Sequence, residues 1–380
     1  MELPDLLKVA VERKASDLHI KVGSPPVLRI DDKLVPLMEM PRLGQDAVVT
    51  MAASLMNAKQ REKFKERSEI DLAYSMPGLG RFRANVFQQR GTVGLVLRVI
   101  PIKIQNISEL NLPPVLEKVA MEPRGLILVT GTTGSGKSST LASMIDYINS
   151  SRSGHILTIE DPIEFLHRDK KCLVNQREIG VDTPSFSEAL RSALRQDPDI
   201  ILVGEMRDYE TISTAILAAE TGHLVMSTLH TLDATETINR IISVFPPYQQ
   251  KQTRLQLAAV LKGIIAQRLI PRADGKGRVP AVEVCIATAT IRECIIDPDK
   301  TRKLSEAIAA GVSQYSMQTF DQSLMSLYMR GLITYETALQ WCTNPDDFAL
   351  RVRGVESSTD ATWQGMQEDA SKTIPGITRL

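Results

Sequence analysis

The sequence predicts an α/β protein with a small N-terminal sheet domain, a doubly wound core and a helical C-terminal region. Three patterns lead to this prediction. Short strand patterns separated by glycines fill the first part of the chain, aliphatic strand patterns then alternate with helical ones, and helical spacing alone follows from about residue 290. With 380 residues, the chain is long enough for two or three domains.

Residues 1–100 have the pattern of one small α/β domain. "LPDLLKVAVERKA" has helical spacing, "DLHIKVG" and "PPVLRIDDKLVPL" resemble short strands, and a helical stretch runs from about Gly44 to Arg67. "EIDLAYSM", "GRFRANVFQQR" and "GTVGLVLRVI" follow as alternating or apolar runs, separated by glycine turns. This order predicts a sheet with helices on one face.

The rest of the chain divides into four predicted parts. A proline-containing linker spans 101–125, an α/β core spans 126–289, a helical region spans 290–352, and a polar, disordered tail spans 353–380. In the core, "LILVTG", "HILTIED", "DIILVGE" and "HLVMSTLHT" are nearly continuous aliphatic runs. Such runs are typical of parallel strands that are covered on both faces.

The stretch "TGTTGSGKSST", Thr130 to Thr140, fits the phosphate-binding pattern G-x-x-x-x-G-K-[ST]. Its glycines let backbone N–H groups turn inward around phosphates, and the helix that follows adds its dipole. Lys137 is expected to reach the β- and γ-phosphates, and the Ser138 hydroxyl to ligate Mg²⁺. The sequence therefore predicts ATP and Mg²⁺ as ligands. The predicted nucleotide contacts are Thr132, Thr133, Gly134, Ser135, Gly136, Lys137, Ser138 and Ser139.

Acidic residues and a histidine follow three of the predicted core strands. Glu205 ends "DIILVGE", where it would either hold Mg²⁺ or orient an attacking water. Glu160, Asp161 and Glu164 in "TIEDPIEFLH" are further candidates for positioning that water. His230 in "STLHT" is either a γ-phosphate contact or a structural strand-end histidine.

Arginines recur on the predicted N-terminal strands, at Arg81, Arg83, Arg90 and Arg98. Guanidinium groups match phosphate geometry and stay charged. Two interpretations remain open from the residues alone. The arginines are solvent-facing charges on a sheet, or they are fingers that complete the site of a neighbouring subunit.

Composition argues against several classes of function. The net charge is zero and aromatic residues make up 4%, so a nucleic-acid partner is not expected. The N-terminus lacks the apolar segment of a signal peptide, and no apolar run reaches the length of about 18 residues that a membrane span needs. A cytoplasmic protein that docks on a membrane complex is predicted. The four cysteines include no C-x-x-C pair.

In combination, these motifs resemble those of the secretion ATPases of type II and type IV pilus systems. The matching pieces, in chain order, are "GTTGSGKSST", "TIEDPIEFLH", "NQREIGVDT", "LRQDPDIILVGEMRDYET" and "AETGHLVMSTLHT". "SDLHI" and "GRFRANVFQQR" extend the resemblance over nearly all of residues 1–350. The resemblance implies a PAS-like N-terminal domain joined to a RecA-like P-loop domain.

The resemblance also implies a homohexameric ring that contacts an inner-membrane pilus platform protein and, in some systems, a paralogous pilus ATPase. ATP would lie between the two domains, and a neighbouring subunit would contribute Arg83 or Arg98. Glu205 and Glu164 become the leading catalytic carboxylates, and His230 a γ-phosphate contact.

Within that family, the chain most resembles the pilus retraction ATPases. Its N-terminal domain is short, and it lacks the paired cysteines of the extension ATPases. One motif departs from the pattern, because the retraction motif AIRNLIRE corresponds here to "TIRECIID", Thr290 to Asp297. Despite this departure, the short N-terminal domain and the missing cysteine pairs lead us to expect pilus retraction and twitching motility. An accessory, extension or secretion ATPase is the alternative, and a RecA-type nucleic-acid motor is a weaker one.

Overall fold

The computed structural model describes residues 2–30, 33–100 and 103–353. They divide into two compact units. The first contains the described residues up to Lys103 together with Glu164–Leu166. The second contains Ile104–Ile163 and the described residues from His167 onward. The predicted disordered tail lies outside the described residues from position 354.

The first unit contains a six-stranded antiparallel sheet in the order β3-β2-β1-β6-β5-β4. Its strands are β1 (Asp17–Lys21), β2 (Val27–Ile30), β3 (Lys33–Pro36), β4 (Glu69–Met76), β5 (Gly80–Gln89) and β6 (Thr92–Val99), and its helices are α1 (Leu3–Glu12), α2 (Gln45–Leu55) and α3 (Ala58–Arg67). The predicted helical stretch is thus two helices. Met56 is extended, and Asn57 forms a capping box with Gln60 that starts α3.

One face of this sheet holds the core of the first unit. In β5, Phe82, Ala84 and Val86 are buried, and the residues between them lie on the opposite face. The buried face packs in one cluster with residues of all three helices, such as Leu6 and Phe64. The helices therefore cover one face of the sheet, as the sequence predicts.

The second unit contains a seven-stranded sheet in the order β13-β12-β7-β11-β10-β8-β9. Its strands are β7 (Gly125–Thr130), β8 (Gly154–Glu160), β9 (Cys172–Glu178), β10 (Ile200–Val203), β11 (Leu224–Leu229), β12 (Leu261–Pro271) and β13 (Arg278–Ile286). All neighbouring pairs are parallel except β12 and β13, which form an antiparallel pair at one edge.

Helices cover both faces of this sheet. They are α4 (Val115–Ala120), α5 (Lys137–Ser151), α6 (Phe186–Ala193), α7 (Tyr209–Glu220), α8 (Ala234–Ser243), α9 (Pro247–Val260), α10 (Ala289–Ile296), α11 (Leu304–Ala310), α12 (Val312–Tyr315), α13 (Phe320–Met329), α14 (Tyr335–Trp341) and α15 (Pro345–Val352), with a 3₁₀ turn at Thr301–Lys303. In β7, Leu126 and Leu128 enter one core cluster, and Ile127 and Val129 enter another. The doubly wound α/β core predicted from the aliphatic runs is confirmed.

Two elements differ from the sequence-based expectation. The stretch predicted as a linker contains α4, whose buried Leu116 and Val119 pack in the same cluster as Ile127 of β7. The hairpin of β12 and β13 was not predicted, although "LKGIIAQRLIP" and "RVPAVEVCI" flank the turn sequence "ADGKG". Its effect is to place β12 beside β7, next to the phosphate loop.

Among the described helices, none is long and apolar enough to cross a bilayer.

Candidate nucleotide-binding site

Four adjacent parallel strands present the predicted site residues at their carboxyl ends. The strand order β7-β11-β10-β8 places the phosphate loop first, because it follows β7 directly. His230 follows β11, Glu205 comes two residues after β10, and Glu160 is the last residue of β8. Since parallel strands end at the same edge of a sheet, these groups line one edge, where α/β proteins bind their ligands.

The phosphate loop is folded tightly through its glycines. Gly131, Gly134 and Gly136 have φ values of 141°, 77° and 92°, which side-chain-bearing residues rarely adopt. A Cβ atom on Gly131 would lie 2.4 Å from the backbone oxygen of Gln267. A Cβ atom on Gly136 would lie 2.8 Å from the Nε2 atom of Gln267. All three positions favour glycine because of their positive φ values, and at Gly131 and Gly136 a Cβ atom would also collide with Gln267.

The loop leads into the first turn of α5, a 15-residue helix. The Thr140 N–H donates to the Gly136 carbonyl at 3.0 Å, so the preceding N–H groups lie before the first helical hydrogen bond. Lys137 Nζ donates to the carbonyl oxygens of Gly131 and Thr132 at 2.8 and 3.0 Å. A backbone concavity at a helix N-terminus with a lysine folded over it fits a phosphate group.

The individual loop residues differ in exposure. Thr132, Thr133 and Gly134 are exposed, Ser138 and Ser139 are half-buried, and Ser135 is buried. The Ser135 hydroxyl has no hydrogen-bond partner among the described residues, which leaves a buried polar atom within the loop. The described residues contain no cluster of three or more His, Cys, Asp or Glu side chains that could hold a metal alone. Such a cluster is not needed for Mg²⁺ at a nucleotide, which is held largely by phosphates and water.

Arg207 donates two hydrogen bonds to the Glu205 carboxylate, one to each oxygen. Arg207 Nε lies 2.6 Å from Glu205 Oε1, and Arg207 Nη2 lies 2.7 Å from Glu205 Oε2. His230 Nε2 lies 3.2 Å from the same Oε1 atom. Burial acts to raise the pKa of Glu205, but the Arg207 hydrogen bonds and the charges of His230 and Arg207 outweigh it and lower that pKa. The carboxylate is therefore held in its charged form.

The backbone around Glu205 is fixed by the neighbouring strands. Gly204 N–H donates to the Ile159 carbonyl of β8 at 2.7 Å, and the Thr228 hydroxyl of β11 donates to the Gly204 carbonyl at 2.7 Å. A Cβ atom on Gly204 would lie 3.2 Å from that Ile159 oxygen. Strands on both sides of β10 thus set the direction in which Glu205 leaves the sheet.

The Asp-box carboxylates occupy different places. Glu160 Oε1 accepts hydrogen bonds from Thr158 Oγ1 at 2.7 Å and Gln176 Nε2 at 3.1 Å, which orient it within the sheet. Glu164 is exposed and belongs to the first compact unit, whereas Glu160 belongs to the second. The catalytic role of Glu164 therefore stays a prediction.

The two candidate fingers lie in the first unit, directly opposite each other on β5 and β6, where Arg83 pairs in register with Arg98. Arg98 Nε donates to Asp17 Oδ1 at 2.9 Å, and Asp17 is buried. Arg83 has a looser partner, because its Nε lies 4.0 Å from Asp71 Oδ1 and both side chains are well exposed. Their proposed role in a neighbouring subunit stays a prediction.

Three residues that shape these sites were not singled out from the sequence: Arg207, Asp17 and Gln267. Arg207 stands two residues after Glu205 in "GEMRD", so the sequence itself shows that these two residues are close along the chain. Asp17 begins the quoted strand pattern "DLHIKVG", but the arginines that it contacts are distant in sequence. Gln267 gave no signal, because the strand that carries it was not predicted.

Comparisons with known proteins agree with this architecture. The type II/IV secretion system protein family matches residues 3–329. The chain is 49% identical to the type IV pilus retraction ATPase PilT of Pseudomonas aeruginosa, over 92% of this chain and 100% of that protein. The chain belongs to the type II/IV secretion system protein family.

A second relative and a solved structure also match most of the chain. The type IV pilus ATPase PilU of Pseudomonas aeruginosa is 42% identical, over 95% of this chain and 94% of that protein. A crystal structure of the pilus retraction motor PilT with bound ADP superposes with a TM-score of 0.83 at 48% identity, covering 91% of this chain and 98% of that one. The resemblance identified from the motifs is confirmed, and so is the predicted fold class.

Proposed function

We propose that this chain is a Mg²⁺-dependent ATP hydrolase that powers the retraction of type IV pili. The observation that carries the proposal is the line of groups along one sheet edge, in which the phosphate loop, His230 and Glu205 follow the adjacent strands β7, β11 and β10. The similarity to PilT over nearly the whole chain supports the direction of the work.

The phosphate loop would hold the nucleotide through its amides and Lys137. Lys137 now donates to two loop carbonyls, and it would exchange them for β- and γ-phosphate oxygens. Ser138 and Glu205 would hold Mg²⁺, which supplies positive charge to the phosphates. Hydroxyl and carboxylate oxygens are the ligands that this ion prefers.

Glu205 is proposed to orient the attacking water. Both of its oxygens accept hydrogen bonds from Arg207 in the structure, and each keeps a second lone pair with which it can accept from a water. The side chain of Arg207 is 77% exposed, and its movement away from Glu205 would make the carboxylate a stronger base. His230, already beside Glu205, would donate to the γ-phosphate as negative charge develops there. Glu164 and Glu160 are the further candidates for water positioning.

Assembly is proposed to complete the site. A homohexamer would bring Arg83 or Arg98 of one subunit to the nucleotide of the next, and an arginine finger is worth about 10³–10⁵ in rate in other P-loop enzymes. The ring would act in the cytoplasm, docked on an inner-membrane pilus platform protein, with a paralogous pilus ATPase as a second partner. Nucleic acid is not expected as a partner, because the chain has no net charge.

The helix α10 supports a second candidate function, an accessory role beside another retraction motor. In "TIRECIID", the matching residues Ile291 and Ile295 are buried, and so is Cys294, which departs from the motif. The other departing residues Glu293 and Ile296 are exposed, and Glu293 pairs with Lys300. The departures at Glu293 and Ile296 therefore change what the surface of α10 offers to a partner.

A count of surface pili distinguishes these functions. Cells that carry Glu205→Ala in place of the native residue are compared with cells that carry Glu306→Ala, an exposed acid on α11 outside the site. Excess pili with loss of twitching in the Glu205→Ala cells alone would support retraction. Bald cells would show that the protein builds pili, and an unchanged pilus count would favour the accessory role.

A further inference from the structure

Gln267 is a buried polar residue of β12 that lies beside the phosphate loop. Strand β12 runs parallel to β7, and Ala266 is in register with Thr130, so Gln267 stands level with Gly131. Gln267 is only 1% exposed and lies among the apolar residues of a central strand. Burial of an amide is costly unless its polar atoms are hydrogen-bonded.

Both polar atoms of the Gln267 side chain have partners in the nucleotide-binding elements. Nε2 donates to the Ser135 carbonyl of the loop at 2.6 Å. Oε1 accepts from the Thr140 hydroxyl in the first turn of α5 at 2.8 Å. One side chain thus ties together three segments: β12, the loop, and the helix that the loop precedes.

The contact with Ser135 fixes the direction of a loop amide. In a trans peptide, the C=O of one residue and the N–H of the next point in opposite directions. Because the Ser135 C=O points at Gln267, the Gly136 N–H points away from it. The absence of a Cβ on Gly136 is what allows this approach, since that atom would lie 2.8 Å from Nε2.

We infer that Gln267 is a positioning residue that sets the conformation of the phosphate loop before nucleotide binds. The inference rests on the proposed nucleotide-binding function and adds a residue to it. A loop whose amides are already oriented loses less conformational freedom when phosphate arrives, so its affinity is higher. Gln267 acts through Ser135 and Thr140 and does not itself need to touch the nucleotide.

The test measures the dissociation constant of the full chain for ADP with Mg²⁺, by calorimetric titration. Gln267→Met keeps the length of the side chain and removes both hydrogen bonds, and we expect roughly tenfold weaker binding. The matched control is Gln318→Met. Gln318 Nε2 also donates to a backbone carbonyl, that of Val282 at 2.7 Å, but outside the loop, so binding should stay within about twofold of wild type.

A second variant separates positioning from a general loss of packing. Gln267→Glu has no donor for the Ser135 carbonyl when it is ionised and regains one when it is protonated. We expect its affinity for ADP to recover toward the wild-type value as the pH falls. Relief of charge repulsion alone would bring it only to the level of Gln267→Met.

The outcomes are distinguishable. ADP binding by folded Gln267→Met as tight as that of wild type would overturn the inference while leaving the proposed function in place. If Gln267→Met does not fold, the pH series of Gln267→Glu decides, and failure to recover beyond the level expected from charge relief overturns the inference. Absence of ADP binding by the wild-type chain overturns the proposed function, and the inference with it.

Discussion

Arg98 and Arg83 stand opposite each other on the sheet of the first unit but have unequal partners. Like charges directly opposite on neighbouring strands repel. The side chain of Asp17 is only 7% exposed and bonds Arg98 at 2.9 Å, and it also lies 3.8 Å from Arg29. Arg98 is therefore tied to a buried carboxylate, although its own side chain is 65% exposed, whereas Arg83 contacts Asp71 only at 4.0 Å. Of the two candidate fingers, Arg83 is the one whose guanidinium is less committed to its own subunit.

This asymmetry predicts different stabilities for two matched variants. Arg98→Gln removes the closest cation of a buried carboxylate and should lower the free energy of unfolding by about 1–2 kcal/mol. Arg83→Gln loses an exposed, long contact and should change it by less than about 0.5 kcal/mol. Urea denaturation of the two variants measures the difference. Equal losses would show that the contact with Asp17 contributes nothing beyond a surface ion pair.

Glu283 is a buried carboxyl on β13 at the start of α8. Its Oε1 accepts the Ala234 N–H at 2.8 Å. Burial raises the pKa of Glu283 to about 7; the charges of Asp233 and Asp321 also raise it, and the Ala234 hydrogen bond and Arg268 oppose this. The folded protein thus keeps a proton here that the unfolded chain releases at lower pH.

The sign of the resulting pH dependence follows from that proton. Between the ordinary pKa and about 7, the folded state binds more protons, so the contribution of Glu283 to stability is lost as the pH rises. Gln keeps an acceptor for the Ala234 N–H and cannot ionise. We predict that Glu283→Gln is more stable than wild type at pH 8 by roughly 3 kcal/mol, and that this gain disappears near pH 4. Denaturation at both pH values checks it; a gain that is the same at both would contradict it.

At the scale of elements, the segment after Glu205 depends on the cap of α7. Asp208 Oδ1 accepts the Thr211 N–H at 2.9 Å, and Oδ2 accepts the Thr211 hydroxyl at 2.9 Å. Only Met206 and Arg207 separate this cap from Glu205. The N-terminus of α7 therefore anchors the strand-to-helix turn that carries the proposed catalytic carboxylate.

Loss of this cap should destabilise the protein measurably. Asp208→Ala removes the acceptor and is expected to lower the free energy of unfolding by about 0.5–2 kcal/mol. Asp208→Ser is the control, because serine is also a good N-cap residue and should recover most of the loss. Urea denaturation of both variants checks the prediction. A serine variant as unstable as the alanine variant would mean that the charge, and not the cap, matters.

Elements that carry a local signal were predictable from the sequence. The aliphatic runs gave β7, β8, β10 and β11, and the glycine pattern of the loop fixed its position between β7 and α5. The break between α2 and α3 was missed because Asn57 and Gln60 form their capping box inside a continuous helical pattern. The β12–β13 hairpin was missed although its turn residues were present, and with it the role of Gln267.

At the scale of the whole molecule, the sequence locates the motifs at the strand ends better than it predicts what their residues contact. The order of the strands explains this difference, because β10 and β11 lie between β7 and β8 in the sheet although β7 and β8 are consecutive in the chain. Strand-end motifs can be located one by one. The contact of Arg98 with Asp17, 81 positions apart, depends on pairing across the sheet that no local pattern encodes.

The paired hold of Arg207 on Glu205 has a consequence for energy use in the cell. A carboxylate that is bound by a guanidinium on both oxygens is a weaker base, so a lone subunit with nucleotide bound would hydrolyse it slowly. Hydrolysis would speed up where some event moves Arg207 aside. Under the proposed function, copies away from a pilus base would then draw little from the ATP supply.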